Sequence, residues 1–346
     1  MEDIYYNGTK LLNLLDLDGM RPAIYICTGN RTAGKTTYFN RYLVNRFLKH
    51  GEKFALLYRY DNRLKNCAEK FFKDIKGLFF SDHEMRAEKR EEGKFYELFL
   101  DNIPCGYVIS LNAAASVKEN SHYFSDITRV LLDEYQAMDG RYVKNEINNF
   151  RSIQTSIARG QGKQSRYVQF ILIGNAISLL NPYLVAFGLH NRIKRDTKYI
   201  KSHGLVMEIT LNEAAAKAQE ENRFNAAFED DDYLAFEAQN VYLDDNAAFI
   251  EKPSGKSRYL GTLTFKGRDY ALREFSNDGI IYCDDRPDKT YPFKIAVTLP
   301  DHKINWVMLK KNDVFISGLR WYFDHGCFRF KNLQCKDAVF SALALT

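Results

Sequence analysis

The sequence lacks the marks of a membrane or secreted protein. No apolar run approaches the ~18 residues that a bilayer crossing needs, and the opening "MEDIYYNGTKLLNLL" carries acids where a signal peptide carries bases. Six cysteines, at positions 27, 67, 105, 283, 327 and 335, include no C-x-x-C pair and no Cys/His cluster. That pattern argues against a zinc site and a disulfide framework and fits a reducing interior. Internal repeats and low-complexity tracts are missing too. The expectation is a soluble, cytoplasmic protein that makes no use of a membrane.

What is present suits a modular globular chain. With 346 residues, 45% of them apolar, two domains can each bury a core. The net charge of +5 is mild, but the charges are unevenly placed. Residues 213–245 hold ten Asp/Glu against Lys217 and Arg223, while residues 294–336 hold eight Lys/Arg against Asp301, Asp313 and Asp324. An acidic middle and a basic end follow.

Short apolar runs separated by helical spacing dominate the first ~210 residues, the pattern of a parallel sheet buried on both faces. The runs are "AIYICTG", "FALLYRY" (54–60), "VLLDEY" (130–135), "FILIGN" (170–175) and "GLVMEIT" (204–210). Between the second and third, "EMRAEKREEGKFYELFLDNIPCGYVISL" reads as an insertion of antiparallel strands and turns. The expected division is an α/β domain over 1–210, an Ala- and acid-rich helical linker over 211–247, and a small α+β domain over 248–346. The linker has two readings, a solvated helix, which is favoured, or a docking surface.

Residues 29–36, GNRTAGKT, fit G-x-x-x-x-G-K-[ST], with a strand pattern before them and the helical "YFNRYLVNRFLKHG" after. Glycines let successive backbone N–H groups turn inward, and the positive end of the following helix adds to them. Gly29, Asn30, Arg31, Thr32, Ala33, Gly34, Lys35, Thr36 and Thr37 are therefore the expected nucleotide-binding residues. Lys35 would reach the β- and γ-phosphates and the Thr36 hydroxyl would sit on Mg²⁺, with ATP as the nucleotide. Arg31 has two readings, a phosphate contact or a pair with a nearby acid.

"VLLDEY" supplies the other half of the site. Asp133 ends an apolar strand where a carboxylate can hold the Mg²⁺ shell, and Glu134 follows, placed to polarise a water. The intervening strand and the adjacent glutamate point to the P-loop branch (ASCE, RecA-like) that includes recombinases, helicases and ring motors. A GTPase would want N-K-x-D, which "NRIKRD" at 191–196 does not supply. Asn175, at the end of "FILIGN", either lies beside the γ-phosphate or caps a turn. Arg159, at a helix end before Gly160, either projects into a neighbouring subunit as a finger or satisfies the helix dipole.

The set "GNRTAGKTT", "RVLLDEYQAM", "GNAISLLNPYLVAFGL" and "FIEK" (249–252) resembles the DNA-packaging (encapsidation) ATPases of phi-29-like tailed bacteriophages. The match covers most of the chain and is weak beyond 255, and "NAISLLNPY" is its most specific part. The resemblance implies a homomeric ring, usually of five subunits, at the portal vertex of an empty capsid in the host cytoplasm. Such a ring hydrolyses ATP and moves double-stranded DNA into the shell. It also implies a trans-acting arginine, matched here by Arg159, and a second basic residue, for which Lys118 in "SVKENSHY" is the nearest candidate across a gap. Portal, DNA and sister subunits are then the partners, and some relatives dock on a structural packaging RNA.

In the family the last domain looks like an RNase H-type nuclease that has lost its active site. Here "RYLGTLTF" (258–265) lacks the carboxylate that two-metal cleavage would want in the opening strand, and Asp284 and Asp285 read as turn acids. Lys310, Lys311, Arg320, Arg329 and Lys331 lie among Trp306, Phe315, Trp321, Tyr322, Phe328 and Phe330. The bases suit phosphate contact, and the aromatics read chiefly as core. Two other classes share parts of this pattern: a helicase-like ATPase using Lys35, Asp133 and Glu134, and a non-enzymatic component of the portal vertex.

Overall fold

The apolar runs of the first half assemble into a nine-stranded sheet among the described residues. The computed structural model describes residues 5–138, 141–160, 162, 164–193, 197–224, 250–309 and 314–344. The strands are β1 (Ile24–Gly29), β2 (Lys53–Tyr58), β3 (Met85–Arg90), β4 (Phe95–Leu100), β5 (Ile103–Ser110), β6 (Ile127–Leu132), β7 (Gln169–Gly174), β8 (Tyr199–Ser202) and β9 (Leu205–Thr210). Their order is β3-β4-β5-β2-β6-β7-β1-β9-β8. From β5 to β9 neighbours pair in parallel; β3, β4 and β8 add antiparallel edges.

Parallel strands covered on both faces need apolar residues at every position rather than every second one. In β7, QFILIG, all the residues are buried. Helices α2 (Lys35–His50) and α3 (Leu64–Phe79) supply part of the cover. α3 buries Leu64, Ala68, Phe71, Phe72 and Ile75, one stripe at helical spacing. Five strands stand where the sequence places them, and one strand, β7, separates β1 from β6, as the ATPase branch requires. The expected insertion forms β3, β4 and β5. Its last strand also pairs in parallel with β2 and so widens the main sheet.

The division into units differs from the expected one. The first unit is Met1–Ile177 with Asp196–Tyr242, and the second is Ser178–Arg195 with Leu243–Thr346. A first domain running unbroken over 1–210 is thus corrected: 178–195 leaves it and joins the C-terminal part. Apolar packing and one buried polar pair account for this. The segment carries α6 (Pro182–Ala186), whose N-cap Asn181 side chain accepts from Tyr183 N and Leu184 N. His190, 1% exposed, sets Nε2 2.9 Å from Asp337 Oδ1 and stacks on Phe340 at 5.5 Å. Of the linker expected over 211–247, α7 (Glu213–Glu220) is helical and belongs to the first unit, while residues 225–247 lie outside the described residues.

The second unit has the expected α+β character. Strands β10 (Arg258–Phe265), β11 (Arg268–Phe275) and β12 (Ile280–Asp284) form an antiparallel meander. Strands β13 (Lys294–Ala296), β14 (Val307–Met308) and β15 (Phe328–Phe330) extend it in parallel, in the order β14-β13-β10-β11-β12-β15. Two helices, α8 (Val314–Asp324) and α9 (Leu333–Ala344), complete it, with α9 burying eight of its twelve residues. No helix of the described residues is long and apolar enough to cross a membrane.

His190 Nε2 is buried between Asp337 Oδ1 at 2.9 Å and Asn191 Nδ2 at 3.0 Å, so an apolar residue at 337 removes the acceptor of that pair. Asp337→Ala is expected to destabilise the protein by about 1–3 kcal/mol and to speed amide exchange across 182–190, measured by hydrogen–deuterium exchange.

Candidate functional site

Ligands of open parallel sheets bind at the carboxyl ends of the strands, and here β1, β6 and β7 deliver the candidate residues to that edge. After β1 the chain runs through Asn30–Ala33 to Gly34, whose φ of 87° is the left-handed conformation glycine adopts without penalty. α2 then begins at Lys35. The Lys35 ammonium is buried and uses three acceptors: Gly29 O at 3.0 Å, Asn30 O at 2.6 Å and Asn175 Oδ1 at 3.1 Å. Burial lowers its pKa, and nearby Cys27 and Asp133 pull it back up. Asn175 thus stands beside Lys35, as its γ-phosphate reading requires.

Thr36 Oγ1 donates to Asp133 Oδ1 at 3.4 Å, which brings together the two residues expected on Mg²⁺. Burial, and next the Glu134 charge, push the Asp133 carboxyl up to about 6. Neither carboxylate has an ion-pair partner among the described residues. Two adjacent acids beside a threonine hydroxyl, neither held in an ion pair among the described residues, form a donor set that fits a hard divalent cation.

A hydrogen-bond run ties the three strand ends together. The Tyr135 hydroxyl shares a 2.6 Å bond with Thr28 Oγ1 in β1 and accepts from Gln136 Nε2 at 2.9 Å. Tyr135 N donates to Ile173 O of β7 at 3.1 Å, and Gln136 Oε1 accepts from Ile177 N at 3.0 Å. Glu134 has a φ of 54°, uncommon for a residue with a side chain. Arg59 holds it there, donating to Glu134 O at 3.1 Å and Tyr135 O at 3.0 Å. Its Nε also meets the buried Glu146 carboxylate at 3.0 Å. The result is an exposed Glu134 side chain on a fixed backbone.

Arg59, Tyr135, Gln136 and Glu146 escaped the reading of the sequence. The available signals were an arginine directly after the second apolar strand and two polar residues directly after Asp-Glu. Asn30 has a structural task as well. Its side chain donates to Asn212 O at 3.0 Å and accepts from Asn212 N at 2.9 Å, tying the loop to the start of α7. Arg31 donates to Met138 Sδ, Thr32 Oγ1 accepts from Gln219 Nε2 at 3.3 Å, and Ala33 O accepts from Tyr6 N at 2.8 Å. Loop residues, Thr37, Asp133, Glu134 and Asn175 line one cleft of about 1100 Å³.

Other expected residues lie elsewhere. Arg159 is exposed at the C-cap of α5 (Glu146–Ala158), about 18 Å of helix from Glu146 at a rise of ~1.5 Å per residue. It makes no hydrogen bond or ion pair among the described residues. Lys118 is exposed in the last turn of α4 (Ala114–Glu119). Of the five bases expected to meet nucleic acid, the three described ones each face an acid: Arg320 with Asp324, Arg329 with Glu251, and Lys331 with Asp285. The reading of Asp284 and Asp285 as unpartnered turn acids is corrected: Asp284 ends β12 and accepts from Arg273 Nε at 2.8 Å, and Asp285 just after it pairs with Lys331. Phe328 and Phe330 are core, while Trp321 is 55% exposed. Lys310 and Lys311 lie outside the described residues.

A family model described as "Podovirus DNA encapsidation protein (Gp16)" matches residues 1–344. The chain belongs to that family. It is 24% identical over 343 residues to the DNA packaging protein of Bacillus phage phi29, covering 98% of this chain and 97% of that one. Two solved structures share its fold. The bacteriophage Phi-29 viral genome packaging motor assembly gives a TM-score of 0.60 at 22% identity, over 98% of this chain and 99% of that one. The Phi-28 gp11 DNA packaging motor gives 0.66 at 14% identity, over 100% and 99%. This family member is thus an α/β protein whose fold is that of the two solved packaging motors, with the candidate residues lining one cleft.

The raised Asp133 pKa has a testable sign. The folded state binds the proton more tightly than the unfolded state, where an aspartate titrates near ~3.9. Stability from this group is therefore full below ~4, falls as pH rises towards about 6, and stays low above it. Asp133→Asn removes that loss, so Tm at pH 8 should rise by a few degrees over wild type and match it near pH 4, by calorimetry.

Proposed function

We propose that this chain is the ATP-driven motor that moves double-stranded viral DNA through the portal into a preformed capsid, working as a ring of identical subunits. The observation that carries the reading is one cleft in which Lys35, Thr36, Asp133, Glu134 and Asn175 converge on a phosphate-binding loop, in a chain of the encapsidation family. The resemblance adds a count of five subunits, a place at the portal vertex in the host cytoplasm, and a packaging RNA as a further candidate partner.

The chemistry follows from the residues. Loop N–H groups and the start of α2 offer donors to phosphate oxygens. Lys35 can exchange its backbone acceptors for the β- and γ-oxygens without leaving its pocket. Bound Mg²⁺ would be held by Thr36 Oγ1 and Asp133 and would neutralise charge on the same oxygens. Glu134, unpaired and facing the cleft, orients the attacking water and takes its proton. Asn175, bonded to Lys35, is placed to register whether a γ-phosphate is there.

Among the described residues Arg159 has no hydrogen-bond or ion-pair partner, and it does not line its own subunit's cleft. That favours the finger reading, in which it completes the site of a neighbouring subunit; Lys118, exposed on the helix before β6, is a second candidate for that task. DNA is gripped through its phosphates, so binding is indifferent to sequence and sensitive to salt. Lys310, Lys311, Arg320, Arg329 and Lys331 are candidates for nucleic-acid contact, although Arg320, Arg329 and Lys331 would first have to give up their acids.

Hydrolysis measured with and without duplex DNA tests this. Glu134→Gln should keep ATP binding and lose about 10²–10⁴ in turnover, and Lys35→Ala should lose both. Arg159→Ala should be slow alone and regain turnover when mixed with Glu134→Gln. Full turnover by Arg159→Ala on its own would remove the finger, and full turnover by Glu134→Gln would remove the motor.

A further inference from the structure

A phosphate loop grips the triphosphate and leaves open what holds the rest of the nucleotide. The cleft runs on past the loop to a wall formed by Tyr5, Asn7, Tyr38, Arg41, Leu78 and Phe79. Three large apolar side chains are exposed together there: Tyr5 at 62%, Leu78 at 66% and Phe79 at 38%. Clustered exposed apolar groups in a cleft mark a binding surface. The Arg41 guanidinium lies over the Phe79 ring at 4.5 Å, so the wall carries charge as well as rings.

The segment bearing Tyr5 is held firmly. Tyr6 is buried, and its hydroxyl donates to Glu208 Oε2 at 2.6 Å, while Tyr199 donates to the other carboxylate oxygen at 2.6 Å. Tyr6 N donates to Ala33 O of the phosphate loop at 2.8 Å. With Tyr6 anchored inward, the neighbouring Tyr5 ring faces the cleft and lies against Gly34, where a Cβ would meet its Cδ1 at 3.3 Å. Asn7 Oδ1 accepts from Thr9 N at 3.0 Å, which leaves the Asn7 amide as a hydrogen donor. Thr9 Oγ1 and the Tyr38 hydroxyl occupy each other at 3.2 Å.

We infer that this wall is the nucleobase subsite: the purine of a nucleoside triphosphate stacks on the Tyr5 ring, and the Asn7 amide donates to a ring nitrogen or carbonyl at its edge. The inference rests on the nucleotide reading above and extends it to residues outside the phosphate motif. A base tethered to phosphates in the loop must leave along these walls, and stacking accepts any planar π face. The hold is mainly by stacking, because a single amide donor adds little edge reading.

Binding of ATP and of inorganic tripolyphosphate, each with Mg²⁺, to full-length wild type, Tyr5→Phe and Tyr5→Ala by calorimetry tests the assignment. Tyr5→Ala should weaken ATP about tenfold, the lower end of one base–aromatic stack, and leave tripolyphosphate unchanged. Tyr5→Phe should behave as wild type with both. Equal losses for both ligands would mean that the segment only props the loop, and would overturn the subsite. Unchanged ATP affinity would overturn it too, whether or not self-association changes; a change there would assign the wall to a second copy of the chain. Wild type that binds tripolyphosphate as tightly as ATP sinks the subsite alone. Wild type that binds neither sinks the nucleotide reading beneath it.

Discussion

The Tyr135 hydroxyl sits between Thr28 of β1 and the Gln136 amide, while its own backbone and that of Ile177 bind the end of β7 to the end of β6. The separations among Lys35, Asp133 and Asn175 depend on that run of bonds. These residues lie far apart in sequence and come together only because three strand ends are held by one another. A buried polar network confers this rigidity only when every member is satisfied, and here hydroxyl, amide and backbone groups close on each other. Arg59 extends the same logic to the backbone, clasping two carbonyls so that a glutamate can keep a conformation it would otherwise avoid.

Much of this arrangement was legible beforehand. The phosphate loop, Asp133 and Glu134 announce themselves because their chemistry demands fixed residue types at fixed spacing beside apolar runs. The five parallel strands were readable for a related reason: burial on both faces removes polar residues from whole stretches, as in FILIG. Arg59, Tyr135 and Gln136 were not readable, because each acts through a partner 41 to 107 positions away, and no spacing rule encodes such a partnership. Asn30 shows the other limit: the motif speaks for its backbone N–H, while its side chain has a separate task on Asn212 that no pattern indicates.

The course of 178–195 was hidden for a different reason. Its text, "SLLNPYLVAFGLHN", follows a strand of the first sheet and precedes another, so continuity argued for a single domain. What sends it to the second unit is a face that only tertiary packing shows: α6 and His190 against α9, with Asp337 and Phe340 as anchors. At the basic end of the chain Arg320, Arg329 and Lys331 have acids beside them, which lowers the attraction they can offer to phosphate and which a count of charges along the sequence does not show.

The excursion of 178–195 has a corollary. The backbone passes between the two units three times rather than once. One of these three connections leaves β7 a few residues beyond Asn175, so along the peptide the second unit begins next to the amide that touches Lys35.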